Sequence, residues 1–312
     1  MRTDNNPQSR FSEQLNARLF INHPYRTPII GWMHEIEKLT RADAKSYYET
    51  WYAPNNAILV VAGDVTPAQV YTKAIEIYGP IEKHPLPDRN YTQSPESETE
   101  IRLTMNDKAV REPTFYKLYR VPSAVQDKEA SLALDVLSEI MGGGPSSRLY
   151  QALVTKQKIA SGVGMSYDGT RRDDAVLSIY AVPVQGTSIE KVENALMAEL
   201  KKIAKNGVSE DEFKRAITSM QDSAIYARDS LSGPAMIIGQ GLAAGLSLDD
   251  IEYWPDDLNA VTREQVQMMA KHVFAPEQPP EILPVTGLLL PEDPEKTEAE
   301  ATAAETPAEE GQ

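Results

Sequence analysis

Residues 31–40, GWMHEIEKLT, bring together the residue types that bind metals and move protons: His34, Glu35 and Glu37, followed by Lys38. A histidine at position 38 would complete H-x-x-E-H. In that pattern two imidazoles one helical turn apart bind zinc, and the glutamate beside the second acts as general base on the metal-bound water. Lysine does not fill the place, because a protonated ammonium offers three donors and no lone pair. The other histidines are His23, His84 and His272, and none stands in H-x-x-E-H. The chain has no cysteine, which excludes thiolate metal sites and disulfides. The expectation is that this stretch is a solvated helix or turn face, and that the chain carries no catalytic residue and no metal ligand.

Composition narrows the partners. Of 312 residues, 41% are hydrophobic and 25% charged, as in ordinary globular proteins. The net charge of -15 repels phosphate, which argues against nucleic acid and anionic membrane as partners. No apolar run approaches the roughly 18 residues of a membrane span. The start, MRTDNNPQSRF, is polar and has no signal-peptide pattern. Residues 291–312 hold eight acids, one lysine and no aromatic residue. Such a stretch buries too little apolar area to offset its ordering entropy, so a disordered acidic tail is expected at 288–312.

The element signals are strong. Thr40 with Asp43, Thr66 with Pro67 and Gln69, and Ser209 with Glu212 read as helix starts. DKEASLALDVLSEIMGGG and SIEKVENALMAELKKIAKNG read as amphipathic helices stopped by glycine. NAILVVAGDV, TEIRLTM, TFYKLYRV, SGVGMSY and AVLSIYAV read as strands, rich in β-branched and aromatic residues. The proline-bearing stretch 84–98 reads as a linker.

A repeat organises these elements. LTRADAKSYYETWYAP matches VTREQVQMMAKHVFAP at an offset of 222 residues, and at that offset Trp32 meets Trp254 and Ala53 meets Ala275. His34 falls opposite Asp256 and Glu37 opposite Asn259, so the slot is tolerant of unrelated polar residues. Both copies then run into an extended apolar segment ending in glycine. A period this long means two duplicated domains rather than a solenoid. The expected division is 1–83 as the end of a first domain, 84–98 as linker and 99–287 as a second domain. The first copy matches only the last part of the second, so a segment on the order of a hundred residues is expected upstream.

In order along the chain, DNNPQSRFSEQL, HPYRTPIIG, LTRADAKSYYETWYAPNNAILVVAGDV, MGGGPSSRLYQAL and GVSEDEFKRA resemble the insulinase/pitrilysin family of zinc metallopeptidases, which includes the mitochondrial processing peptidases. The resemblance implies an α+β fold with duplicated halves, each a mostly antiparallel sheet with helices packed on one face. It implies zinc chemistry in the family, through H-x-x-E-H and a later glutamate, with that segment lying upstream of this chain and no zinc expected on this chain alone. It implies a peptide or small protein as substrate, bound as an added strand on a sheet edge, and a homologous family subunit as partner.

Two further positions matter. The family often carries an Arg and a Tyr seven residues apart, which bind a substrate carbonyl; here those positions are Val154 and Ser161. Gly142, Gly143 and Gly144 are candidate substrate-binding residues, as glycine loops are in processing-peptidase relatives, although a helix stop explains them equally. His23 reads as a loop or interdomain residue. The expected function is the C-terminal portion of an insulinase-like zinc endopeptidase subunit, forming part of a peptide-binding chamber; the alternative is a non-catalytic scaffold or partner subunit. Export of bacterial relatives points to a periplasmic or exported location, while the residues themselves leave the compartment open.

Overall fold

The computed structural model describes residues 5–95, 99–230, 232–275 and 283–292. The first part of the chain is helical: α1 (Pro7–Leu19), α2 (Met33–Ile36), α3 (Arg41–Trp51) and α4 (Pro67–Tyr78). Next come β1 (Ile101–Asp107), β2 (Thr114–Val121), α5 (Lys128–Gly142), a π-helix (Tyr150–Lys156), β3 (Ala160–Asp168) and β4 (Ala175–Pro183). The chain continues through α6 (Ile189–Asn206), α7 (Glu210–Arg228), α8 (Gly233–Ala244), α9 (Leu248–Glu252), α10 (Trp254–Asp257) and α11 (Arg263–Phe274), and ends in β5 (Val285–Pro291).

The helix starts follow the sequence signals. Thr40, Thr66, Ser209 and Thr262 all cap through reciprocal capping boxes, each satisfying two orphan backbone donors. The five strands run in the order β1-β5-β2-β4-β3, with β1 and β5 parallel and the other pairs antiparallel. The mostly antiparallel sheet and the helical layer are those of the expected α+β fold. Residues 288–291, expected in the tail, belong to β5, because Leu288 and Leu289 are buried in the sheet. Residues 293–312 lie outside the described residues.

One face of the sheet takes α5, α6 and α11. Strand alternation points Phe115, Tyr119 and Val121 of β2, and Leu177 and Ile179 of β4, into this core. Phe274 of α11 closes edge-on against Tyr119 at 5.6 Å. The other face takes α1. Phe11, Leu15 and Leu19 lie over Val285 and Leu289, flanked by Leu103, Met105 and Leu118. The helix can seat this closely because position 287 is glycine; a Cβ there would stand 2.6 Å from Leu15 and 2.9 Å from Phe11. So α1, expected to belong with residues 1–83, packs on the second domain's sheet.

The two repeated stretches, 39–54 and 261–276, each form a capped helix. α3 and α11 start at matching positions with matching caps. In α11, Val266, Met269, Ala270, Val273 and Phe274 are buried. Of their counterparts, Tyr47 and Tyr48 on α3 and Tyr52 at its end are exposed and Trp51 is half-buried; Tyr71, Ile75 and Ile77 on α4 are exposed too. The strand expected within residues 56–65 is absent: Ala57 is extended, at φ -121 and ψ 144, but residues 57–65 form no ladder. A strand exists only by pairing. β5 has β1 and β2 beside it, and residues 57–65 have no such neighbours among the described residues. The linker has no helix or strand over residues 84–95, yet it is held: the His84 imidazole donates to the Thr50 carbonyl at 3.1 Å, and Arg89 stacks over Trp51 at 5.2 Å.

Because α1 is the cover of one sheet face, Leu15→Ala is expected to cost about 2–4 kcal/mol of stability, the range for emptying a well-packed leucine site. Urea denaturation of the variant against the parent chain measures it.

Candidate functional site

The histidines do not converge. His34 is exposed on α2, His272 is exposed in the last turn of α11, and His84 caps the end of α3 through Thr50. His23 is buried against Asp173, with Nε2 3.0 Å from Oδ2, between the first part of the chain and the β3–β4 turn. Among the described residues no group of three or more His, Asp or Glu is placed to hold a metal ion. The donor set therefore does not fit a zinc site, and no chemical step is derived through zinc on this chain.

The glycine run ends α5. A Cβ on Gly142 would stand 2.0 Å from the Met165 nitrogen, so this glycine is the point where α5 touches β3. A Cβ on Gly143 would strike the Glu139 carboxylate. Gly144 differs: its φ is +95 and nothing lies within 4 Å of a built Cβ, so its backbone is open to a ligand. Gly142 and Gly143 are thus explained by close packing, and Gly144 by a left-handed turn.

Arg148 follows the run and forks onto Glu212, at 2.9 and 2.6 Å, while also donating to the Gly207 carbonyl. This ties the segment to the junction of α6 and α7. Burial would raise the Glu212 carboxyl, but the hydrogen bonds from Arg148 and Ser209 outweigh it and bring it down to about 2. Beyond Arg148 the helix widens into the π-helix, and Lys158 stands at φ 52, left-handed for a non-glycine residue. Both irregularities lie beside Val154 and Ser161. Val154 packs against the main core, and the exposed Ser161 donates to the Val182 carbonyl at 3.3 Å. Neither presents a charged or phenolic donor to a substrate carbonyl. Tyr167 points inward and donates to the Pro122 carbonyl at 2.5 Å.

Two features were hidden in the sequence. The first is the free edge: β3 ends the sheet and, among the described residues, pairs only with β4. Gly162 and Gly164 lie on this strand, and Tyr180 of β4, 45% exposed, lays its ring over Gly164. The second is a groove of about 1140 Å³ between α7, α8 and the α9–α10 turn, with Glu139 and Gly143 at one end and Ile237, Ile251 and Trp254 along it. No periodicity foretells either, because which strand ends the sheet and how the helices of 210–257 pack are set by the tertiary arrangement.

The family model described as "Peptidase M16 inactive domain" matches residues 38–220. The chain belongs to the M16 peptidase family. The insulinase-type resemblance of the sequence is thereby shown, and the matched domain is the one described as inactive. The chain is 28% identical over 217 residues to the zinc protease PqqE of Helicobacter pylori, covering 69% of this chain and 48% of the relative. It is 26% identical to an uncharacterized zinc protease of Mycobacterium leprae, covering 87% of this chain and 60% of the relative. It thus spans about half to three-fifths of the length of these relatives. Among solved structures, a protease from Helicobacter pylori superposes with a TM-score of 0.82 at 23% identity, over 93% of this chain and 68% of that one. The peptidase M16 inactive domain from Pseudomonas fluorescens gives 0.77 at 18% identity, over 94% and 67%. At these identities the structural likeness establishes the fold.

Behind the groove, the Trp254 indole donates to Asp135 Oδ2 at 3.2 Å. Burial pushes the Asp135 carboxyl up from 3.8 to about 7, with the Trp254 hydrogen bond opposing. Between these values the folded chain holds a proton that the unfolded chain has lost. Its stabilising contribution is full below the unfolded value and is lost as pH rises through about 7. Asp135→Asn keeps an acceptor for Trp254 and removes the charge. Thermal unfolding is expected to show the variant more stable at pH 8 by about 2 kcal/mol, with the difference vanishing near pH 4.

Proposed function

We propose that this chain is the C-terminal portion of an insulinase-like zinc endopeptidase subunit and forms one wall of a peptide-binding chamber, the metal chemistry being carried outside it. The observation that carries the reading is an M16 inactive domain with an unpaired, glycine-bearing sheet edge at β3 and no metal-binding cluster among the described residues. An extended peptide can add to such an edge through backbone hydrogen bonds, with little demand on its side chains. The exposed faces of α3, α4 and residues 57–65 support a homologous partner half. The counterpart of α3 in the second copy, α11, is buried against α5 and α6.

The second reading, a non-catalytic scaffold of the same family, rests on one observation, which a metal-bearing subunit completed by its partner fits as well: Val154 and Ser161 stand where the family pattern has its Arg and Tyr.

Amide exchange tests the chamber reading. An unstructured peptide in excess is expected to slow exchange along β3 and leave β1, the opposite edge, unchanged. No protection of β3 at millimolar peptide would sink it. The purified chain is expected to retain no stoichiometric zinc after dialysis, and equimolar zinc by elemental analysis would contradict that. Adding a family subunit bearing H-x-x-E-H separates the two readings. Peptide cleavage that depends on both chains supports the chamber, and stable association without cleavage supports the scaffold.

A further inference from the structure

Three stretches far apart in sequence meet at one buried polar knot: the loop after α1, residues 91–94 of the linker, and the turn between β3 and β4. His23 is its centre, 1% exposed. Its Nδ1 accepts the Tyr25 backbone N–H at 3.1 Å, so Nε2 carries the proton and donates to Asp173 at 3.0 Å. Asp173 also accepts from Gln93 at 3.2 Å and from Gln126 at 2.8 Å. Its carboxyl is held below the usual range, the hydrogen bonds from Gln93 and His23 outweighing burial. The adjacent Asp174 pairs with the buried Arg120, whose guanidinium lies over Phe20.

The linker is stitched to the same place. The Thr92 hydroxyl donates to the Asn22 carbonyl at 2.5 Å, and the Asn22 side chain donates to the Gln93 carbonyl at 3.3 Å. Tyr25 stands edge-on to the imidazole at 4.5 Å, and Tyr91 lies at 6.0 Å.

We propose that His23 and Asp173 form a clamp that locks the linker and the loop after α1 onto the β3–β4 turn, and that releasing it lets the part carrying α2, α3 and α4 swing away from the part carrying the sheet. The physics separates this contact from the seat of α1. Apolar packing is non-directional and tolerates small shifts. A buried imidazole donating to a partly buried, ionised carboxylate that several donors share does not: the hydrogen bonds are directional, and removing the imidazole takes away the one donor held inside the protein. The clamp holds residues 91–94, which have no helix or strand of their own to hold them. It is independent of whether β3 receives a peptide.

The test is hydrogen exchange on the full chain and on His23→Ala, His23→Gln and Asp173→Ala. Loss of the clamp is expected to speed exchange at residues 20–26 and 91–95 by about tenfold or more while β2 and β4 keep their protection. His23→Gln, which offers an amide donor in place of Nε2, is expected to retain most of the protection. The chain has no cysteine, so spin labels at Lys73→Cys and Lys201→Cys report the distance between the two parts. That distribution is expected to broaden in His23→Ala and stay narrow in His23→Gln. The proposal is overturned if exchange rises equally in β2 and β4, if residues 91–95 do not change, or if the distance distribution stays narrow in every variant.

Discussion

A five-stranded sheet has two faces, and both must be kept from water. The helical layer of α5, α6 and α11 covers one. The other depends on α1, which arrives from the far end of the sequence and lays Phe11, Leu15 and Leu19 across β5 and its neighbours. Everything downstream of this contact leans on it. With α1 seated, Val285 and Leu289 are buried and β5 is held between β1 and β2. The polar knot at His23 follows directly after α1, so the same helix delivers the loop that meets Asp173. Gly287 is the steric condition for this arrangement, since any side chain there would lift the helix.

The two copies of the repeat show what a sequence pattern is worth with and without neighbours. α3 and α11 share their start, their capping box and their apolar stripe. In α11 the stripe is core; in α3 its tyrosines face solvent. Local chemistry forms both helices, because caps and helix propensity act within a few residues. Burial is supplied by other elements, and the first copy has few of them here. The contrast is sharper for strands. β5 forms between two partners, whereas residues 57–65 form no ladder. A helix closes its own hydrogen bonds and a strand cannot.

The chain belongs to the M16 family, and the domain matched is the one described as inactive. The residues that sequence spacing made conspicuous have structural explanations. Gly142 lets α5 touch β3, Arg148 ties the glycine run to the junction of α6 and α7, and His84 secures the linker. The features able to meet a ligand are less conspicuous in sequence: a sheet edge without a neighbour and a groove among α7, α8 and the α9–α10 turn.

The sequence by itself determined the helices, with their caps at Thr40, Thr66, Ser209 and Thr262, and the strands whose alternation marks one face as core. It determined the likeness of two stretches 222 residues apart, the family, and the lack of an H-x-x-E-H motif, since these are written in residue identity and order. Tertiary structure decided the rest. It placed α1 on the second domain's sheet, carried the last strand through Pro291, left residues 57–65 unpaired, and drew His23 to Asp173 across 150 residues of chain. The physical reason is range. Caps and periodicity act within a turn or a strand, while face coverage, strand pairing and buried charge pairing are settled only when distant segments compete for the same surface.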